Sequence, residues 1–142
     1  AVSHDPLNHQ VMVELRDAKV EKVVDYIPEQ EIIGKDSGDL LVIGWGGTYG
    51  PNLTAVEELQ EEGYSISLAQ FNYIRPLPKN TDEVFQGFKK RVVCEMNLGQ
   101  FADYLTMKHP KYDYMRLNKV QGLPFMISEL KQKFKEILEA MS

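Results

Sequence analysis

The chain is expected to fold as a three-layer α/β domain around a mostly parallel sheet, and three observations carry that expectation. Two short apolar runs without alternation, Leu40-Leu41-Val42-Ile43-Gly44 and Arg91-Val92-Val93-Cys94-Glu95, read as strands buried on both faces. Segments of helical periodicity alternate with them, as in βαβ architecture. The first run breaks into Gly44-Trp45-Gly46-Gly47-Thr48-Tyr49-Gly50 and then Pro51, a residue suited to the first turn of a helix. Strand, tight turn and helix together form the repeating unit of such folds.

The elements follow in order. From about Pro6 to Tyr26 an amphipathic helix is expected, with Met12, Leu15, Val20, Val23, Val24 and Ile27 on its apolar stripe. Pro28 ends it. Residues 1–28 are therefore read as a linker helix and 29–142 as the α/β domain. Glu31–Gly34 is a short strand candidate, followed by a turn at Lys35–Gly38. The helix from Pro51 points Leu53, Val56 and Leu59 inward, sets Glu57, Glu58, Glu61 and Glu62 outside, and stops at Gly63. Tyr64–Phe71 reads as a strand whose Ser65, Ser67 and Ala69 leave one face open to a close-packed helix. Arg75-Pro76-Leu77-Pro78 is extended loop. Asn80 with Glu83 resembles a capping box, opening a helix that buries Val84, Phe85 and Phe88. Lys89-Lys90-Arg91 is read as solvated loop before the next strand. Leu98-Gly99-Gln100 leads into a helix carrying Phe101, Tyr104 and Leu105, Tyr112–Leu117 suits an edge strand, and a last helix buries Ile127, Leu130, Phe134, Ile137, Leu138 and Met141.

Composition narrows the function. A chain of 142 residues fits one domain with its own core. A net charge of -5 lacks the basic footprint of a nucleic-acid surface, so no nucleic-acid partner is expected. No apolar run reaches the length of a membrane span and no signal-peptide pattern opens the chain, so a cytoplasmic protein without a membrane partner is expected. The single cysteine, Cys94, excludes an internal disulfide and cannot by itself hold an iron–sulfur cluster. The chain begins at Ala1 without an initiator Met and is read as a domain excised from a longer polypeptide.

In wound sheets, ligands and partners gather at the carboxyl ends of the strands. Three loops rich in glycine and amide side chains meet that description. They supply the candidate site residues: Trp45, Gly46, Gly47, Thr48, Tyr49 and Gly50; Glu95, Asn97, Gly99 and Gln100; Asn118, Lys119, Gln121 and Gly122. The first loop fails as a dinucleotide fingerprint. Tyr49 stands where the third glycine belongs, and no acidic residue ends the next strand at Gln70-Phe71-Asn72. Glu95 is open to two readings, a positioned acid or base or a cap for the helix that follows, a role Asn97 could also fill. Lys119 could meet a phosphate or carboxylate, or serve as a solvated or interface lysine. His4 and His9 do not stack on a helix face, so no metal site is expected there. His109 reads as a surface turn, and Cys94 as an inert core thiol. Nothing assembles a nucleophile, a base and an orienting group, and no catalytic residue is assigned.

Four blocks carry a family resemblance: Gly44–Gly50, Arg75–Pro78, Glu95–Gln100 and Asn118–Phe125. In that order they closely resemble the C-terminal domain of the alpha subunit of 2-oxoacid:ferredoxin oxidoreductases, the 2-oxoglutarate enzyme being nearest. His9–Arg16 resembles the linker helix that precedes it. The resemblance implies a fold similar to the C-terminal domain of transketolase, with five strands in the order 1-3-2-4-5 and the first antiparallel, a place Glu31–Gly34 fits. It implies a parent enzyme that decarboxylates 2-oxoglutarate on thiamine diphosphate, reduces ferredoxin and releases succinyl-CoA. It also implies that thiamine diphosphate, magnesium and iron–sulfur clusters belong to other domains and subunits. The implied partners are the N-terminal domain of the same subunit, a beta subunit with or without a gamma subunit, ferredoxin and CoA.

Two readings remain. In the first, the chain is a non-catalytic assembly domain whose strand-end loops, with Trp45 and Tyr49, anchor on neighbouring domains. In the second, it is a free-standing domain that binds a small molecule or anion at the Gly44–Pro51 loop.

Overall fold

The computed structural model describes residues 23–96, 99–119 and 123–141. Its elements are β1 (Gly38–Trp45), α1 (Tyr49–Glu61), β2 (Ile66–Phe71), α2 (Thr81–Gln86), β3 (Phe88–Glu95), α3 (Gln100–Lys108), β4 (Met115–Asn118) and α4 (Ile127–Ala140), with short 3-10 turns at Val24–Tyr26 and Gly46–Thr48. The expected helix over Pro6–Tyr26 lies almost wholly outside the described residues.

All three strand pairings are parallel and the order is β2-β1-β3-β4. Unalternated apolar runs become the central strands because helices cover both sheet faces. Leu40 and Val42 of β1 point into a mainly aliphatic layer with Val92 and Cys94 of β3, closed by Phe134, under α1 and α4. Leu41 and Ile43 point the other way with Val93, into a layer dominated by Phe71, Phe85, Phe88 and Phe101, under α2 and α3. The helix after β1 thus lies on one face and the helix after β3 on the other. The carboxyl ends of these two adjacent strands consequently flank a switch-point crevice.

Several expectations need correction. Four strands form the sheet among the described residues, not five: the predicted antiparallel strand Glu31–Gly34 is reduced to one bridge, Ile33 with Leu68. Its two hydrogen bonds, 2.8 and 3.0 Å, do place it antiparallel beside β2. Gly34, at φ +117°, then turns the chain away from the sheet. Lys89-Lys90-Arg91 is not loop but the start of β3, because Gly38 already pairs with Phe88. Arg91 is buried there, donating to the carbonyls of Phe85 (2.9 Å), Phe88 (2.7 Å) and Asp113 (3.2 Å). The edge strand starts at Met115, not Tyr112, since Tyr112 and Tyr114 turn their rings edge-on to Phe85. His109 joins the same cluster, 5.8 Å from the Phe85 ring, rather than a free surface turn.

Asn80 makes no side-chain cap. Its amide instead clamps the backbone of Gln30, accepting from the N–H at 2.7 Å and donating to the carbonyl at 3.0 Å. The small face of β2 receives backbone rather than a helix at Ser67, whose hydroxyl donates to the Lys35 carbonyl at 2.8 Å.

Candidate functional site

The described parts of the three glycine-bearing loops meet at the carboxyl end of the sheet. Gly44, Cys94, Glu95 and Asn118 are the last paired residues of their strands or lie beside them. The Trp45 ring leaves the end of β1 and stands 6.2 Å from that of Phe101 in α3. Gly99 is left-handed at φ +87°, and a Cβ there would meet the side chains of Arg116 and Asn118. The backbone N–H of Lys119 donates to the Glu95 carbonyl at 2.8 Å. Asn97, Gln121 and Gly122 lie outside the described residues, and Gln100 opens α3 as an exposed residue.

Glu95 is fully buried and both carboxyl oxygens are engaged. The Phe101 N–H donates to Oε1 at 2.7 Å and the Ala102 N–H to Oε2 at 2.9 Å. These are two of the amide groups that a helix start leaves without intrahelical partners. Capping from within the preceding strand, six residues away, aligns α3 on the end of β3 and exploits the positive helix end. Of the two readings of Glu95, the cap is the one the geometry supports. Lys119 is likewise committed, its Nζ lying 2.6 Å from Glu129 Oε1. That same oxygen accepts the Met126 N–H at 2.7 Å at the start of α4. Lys119 holds the Glu129 carboxyl below its ordinary range, with the Met126 N–H acting the same way.

The β1 turn is organised differently. The Thr48 hydroxyl donates to the Trp45 carbonyl at 3.2 Å. The Asn52 amide donates to Thr48 Oγ1 (3.2 Å) and Gln70 Oε1 (3.3 Å), and Gln70 Nε2 donates to the Gly46 carbonyl at 3.3 Å. A Cβ at Gly44 would fall within 3 Å of all three of these side chains, so only glycine lets the network close over the strand end. Asn52 is fully buried, and its Oδ1 has no hydrogen-bond partner among the described residues. Above this polar base the turn displays Trp45 and Tyr49, 37% and 45% exposed, with open space at Gly46, Gly47 and Gly50. Sequence reasoning missed Asn52 and Gln70. Asn52 sits one residue after Pro51 and faces inward, a buried amide in a first turn, and that was the available signal.

Among the described residues the donor set does not fit a metal or cluster. Cys94 is fully buried near the end of β3, and burial pushes its thiol well up from the ordinary range, away from the thiolate that ligation needs. Among the described residues no group of three His, Cys, Asp or Glu side chains is placed to hold a metal ion. No helix among them is long and apolar enough to cross a membrane.

No family model matches the chain. Known proteins do. The chain is 37% identical over 131 residues, 91% of its length, to the 2-oxoglutarate oxidoreductase subunit KorA of Mycobacterium tuberculosis, of which it covers 19%. The solved 2-oxoglutarate:ferredoxin oxidoreductase of Magnetococcus marinus, with 2-oxoglutarate, coenzyme A and succinyl-CoA bound, superposes with a TM-score of 0.80 and 26% identity. That match covers 97% of this chain and 24% of the other. The alpha chain of a probable 2-oxoacid ferredoxin oxidoreductase from Thermoplasma acidophilum gives a TM-score of 0.54 at 26% identity, over 78% of this chain and 97% of that one. A split-gene transketolase, 15% identical over 78% of this chain and 40% of that one with a TM-score of 0.51, shares the fold. The chain spans about a fifth of the length of the curated relatives it matches.

Proposed function

We propose that the chain, similar over 91% of its length to an alpha subunit of the 2-oxoacid:ferredoxin oxidoreductases, is the transketolase-C-terminal-like domain of a 2-oxoglutarate:ferredoxin oxidoreductase. The parent enzyme would oxidatively decarboxylate 2-oxoglutarate, pass two electrons to ferredoxin and release succinyl-CoA in the cytoplasm. The choice of 2-oxoglutarate draws on the similarity to KorA and on the ligands named for the Magnetococcus marinus structure. The same relatives favour this reading over a free-standing binding domain. Thiamine diphosphate, magnesium and the iron–sulfur clusters are assigned to the rest of the assembly.

Within that enzyme the domain's own part is assembly. The observation that carries this is Glu95: the acid nearest the switch-point crevice spends both oxygens on the backbone of α3. What the rim offers outward is aromatic surface at Trp45 and Tyr49, the type of residue that anchors protein interfaces. The faces docked against are taken to be the N-terminal domain of the same subunit and the beta subunit, with or without a gamma subunit, while ferredoxin and CoA engage the whole complex.

The test is an assay of the purified parent complex with ferredoxin, CoA and a 2-oxoacid. Ferredoxin reduction should run at least about tenfold faster with 2-oxoglutarate than with pyruvate at matched concentration, a margin of roughly 1.4 kcal/mol in transition-state stabilisation. No 2-oxoacid-dependent reduction, or turnover by the 142-residue chain alone, would overturn the proposal.

A further inference from the structure

Beside the β1 turn, at the outer edge of β2, lies a cleft of about 480 Å³. This is within the size range of a side-chain or small-ligand site. Its wall includes the acidic residues Glu29 and Glu31, the amides of Gln30 and Gln70, and the rings of Tyr49 and Tyr73, with no basic residue among the lining groups. The floor is fixed: Gln30 Nε2 donates to the Gln70 carbonyl at 2.9 Å, and Asn80 clamps the Gln30 backbone. The acidic pair is therefore held on a pinned segment of chain, not on a loose tail.

The tyrosines supply a second, independent observation. The chain contains seven. Three of them already carry a cation on the ring face: Arg75 lies 5.0 Å from the Tyr104 centroid, Arg91 4.8 Å from Tyr112, and Lys135 6.0 Å from Tyr64. Tyr114 packs edge-on to Phe85. Tyr49 and Tyr73 have no such partner among the described residues, stand 45% and 47% exposed, and line one cleft together. Glu29 and Glu31 also lack an ion-pair partner among the described residues. Two π faces and two acids with no cation on them among the described residues, gathered around one cavity, make a receptor for a planar cation.

We propose that this cleft receives the guanidinium of an arginine side chain contributed by a neighbouring segment of the assembled enzyme. The inference rests on the reading of the chain as one domain of a larger subunit. Arginine suits the site better than lysine, because its flat fork can stack on a tyrosine ring while donating to an acid at the rim. The net charge of -5 favours a basic partner segment in the same sense.

The probe is N-acetyl-L-arginine amide, with N-acetyl-L-citrulline amide as the uncharged isostere, titrated into the 142-residue chain labelled at tyrosine for NMR. Saturable shifts of the Tyr49 and Tyr73 ring signals are expected at roughly millimolar concentration, the range for a single side-chain contact. Citrulline should produce none, and the double variant Glu29→Gln/Glu31→Gln should weaken arginine binding about tenfold or more. Equal responses to the two amides, or no saturable response at either ring, would overturn the proposal. In the complete complex, Tyr73→Ala with the same double variant should undock the domain in place, read as faster amide hydrogen exchange over residues 28–33 than in wild type. Unchanged exchange there would overturn the docking role even if the free amide binds. Neither readout depends on 2-oxoacid turnover, so failure of the functional assay and failure of the cleft are separable.

Discussion

Two strand-to-helix turns sit side by side on the same rim, and they are built to opposite ends. The described residues of the turn after β3 are committed inward: Glu95 caps α3, and a Cβ at Gly99 would meet the Arg116 and Asn118 side chains, while Lys119, just past β4, is paired with Glu129. The turn after β1 has its polar groups below, in the Thr48–Asn52–Gln70 network, and sends Trp45 and Tyr49 outward over glycines with nothing beside them. Similar composition therefore hides a division of labour. One turn fixes the frame, and the other presents a surface held in place from beneath.

The largest way to break the β3 turn is Glu95→Ala. It strands two helix N–H groups in a fully buried site and should cost about 3 kcal/mol, read as a lowered midpoint in chemical denaturation. The β1 turn should respond next. Gly44→Ala places a methyl within 3 Å of three hydrogen-bonded side chains and should cost about 2 kcal/mol. Gly47→Ala, with nothing within 4 Å of the added Cβ, should stay within about 0.5 kcal/mol of wild type. Equal losses at Gly44 and Gly47 would erase the distinction between a packed base and an open crest. Trp45→Ala removes one tilted contact with Phe101 and should cost only about 1 kcal/mol in the isolated chain. Its larger effect should appear as weaker association in the complete enzyme, read by sedimentation.

The smallest effect is a control in the first turn of α2, where Asp82 meets the segment that follows α3. Asp82 has its pKa lowered mainly by the hydrogen bond from Lys111, then by that from Tyr112. Because the folded-state value is depressed, its stabilisation is present above the unfolded value of 3.8 and is lost as pH falls through the folded value. Asp82→Asn should therefore flatten the decline in stability below about pH 4 and change little at pH 7, since the group is exposed. A loss at pH 7 comparable to that of Glu95→Ala would mean that exposed pairs here carry more than such pairs ordinarily do.

Much of this was legible in the sequence. Unalternated runs such as Leu40–Gly44 declare parallel strands because the constraint acts at every position, and helices with a charged outer face, such as α1 and α4, declare themselves by period. The outer bounds of β3 and β4 were not legible. Lys89-Lys90-Arg91 reads as solvated until the carbonyls of Phe85, Phe88 and Asp113 are brought around the Arg91 guanidinium, a contact that depends on tertiary structure. Asn80 looked like a local cap, yet it satisfies backbone fifty residues away in Gln30. Glu31–Gly34 has strand composition but keeps a single bridge, since a left-handed Gly34 redirects the chain. At the rim, residue types located the loops, but whether a given acid faced outward or inward depended on an amide pair six and seven residues further on.

That last point is also the most direct test of the account, and one variant reads it. Glu95→Gln should be introduced into the complete oxidoreductase and both the thermal midpoint and kcat with 2-oxoglutarate measured. If Glu95 is a strut for α3, the midpoint falls while kcat at a temperature below it stays within about twofold of wild type. A kcat lowered on the order of a hundredfold with an unmoved midpoint would put this acid in the chemistry and contradict the account.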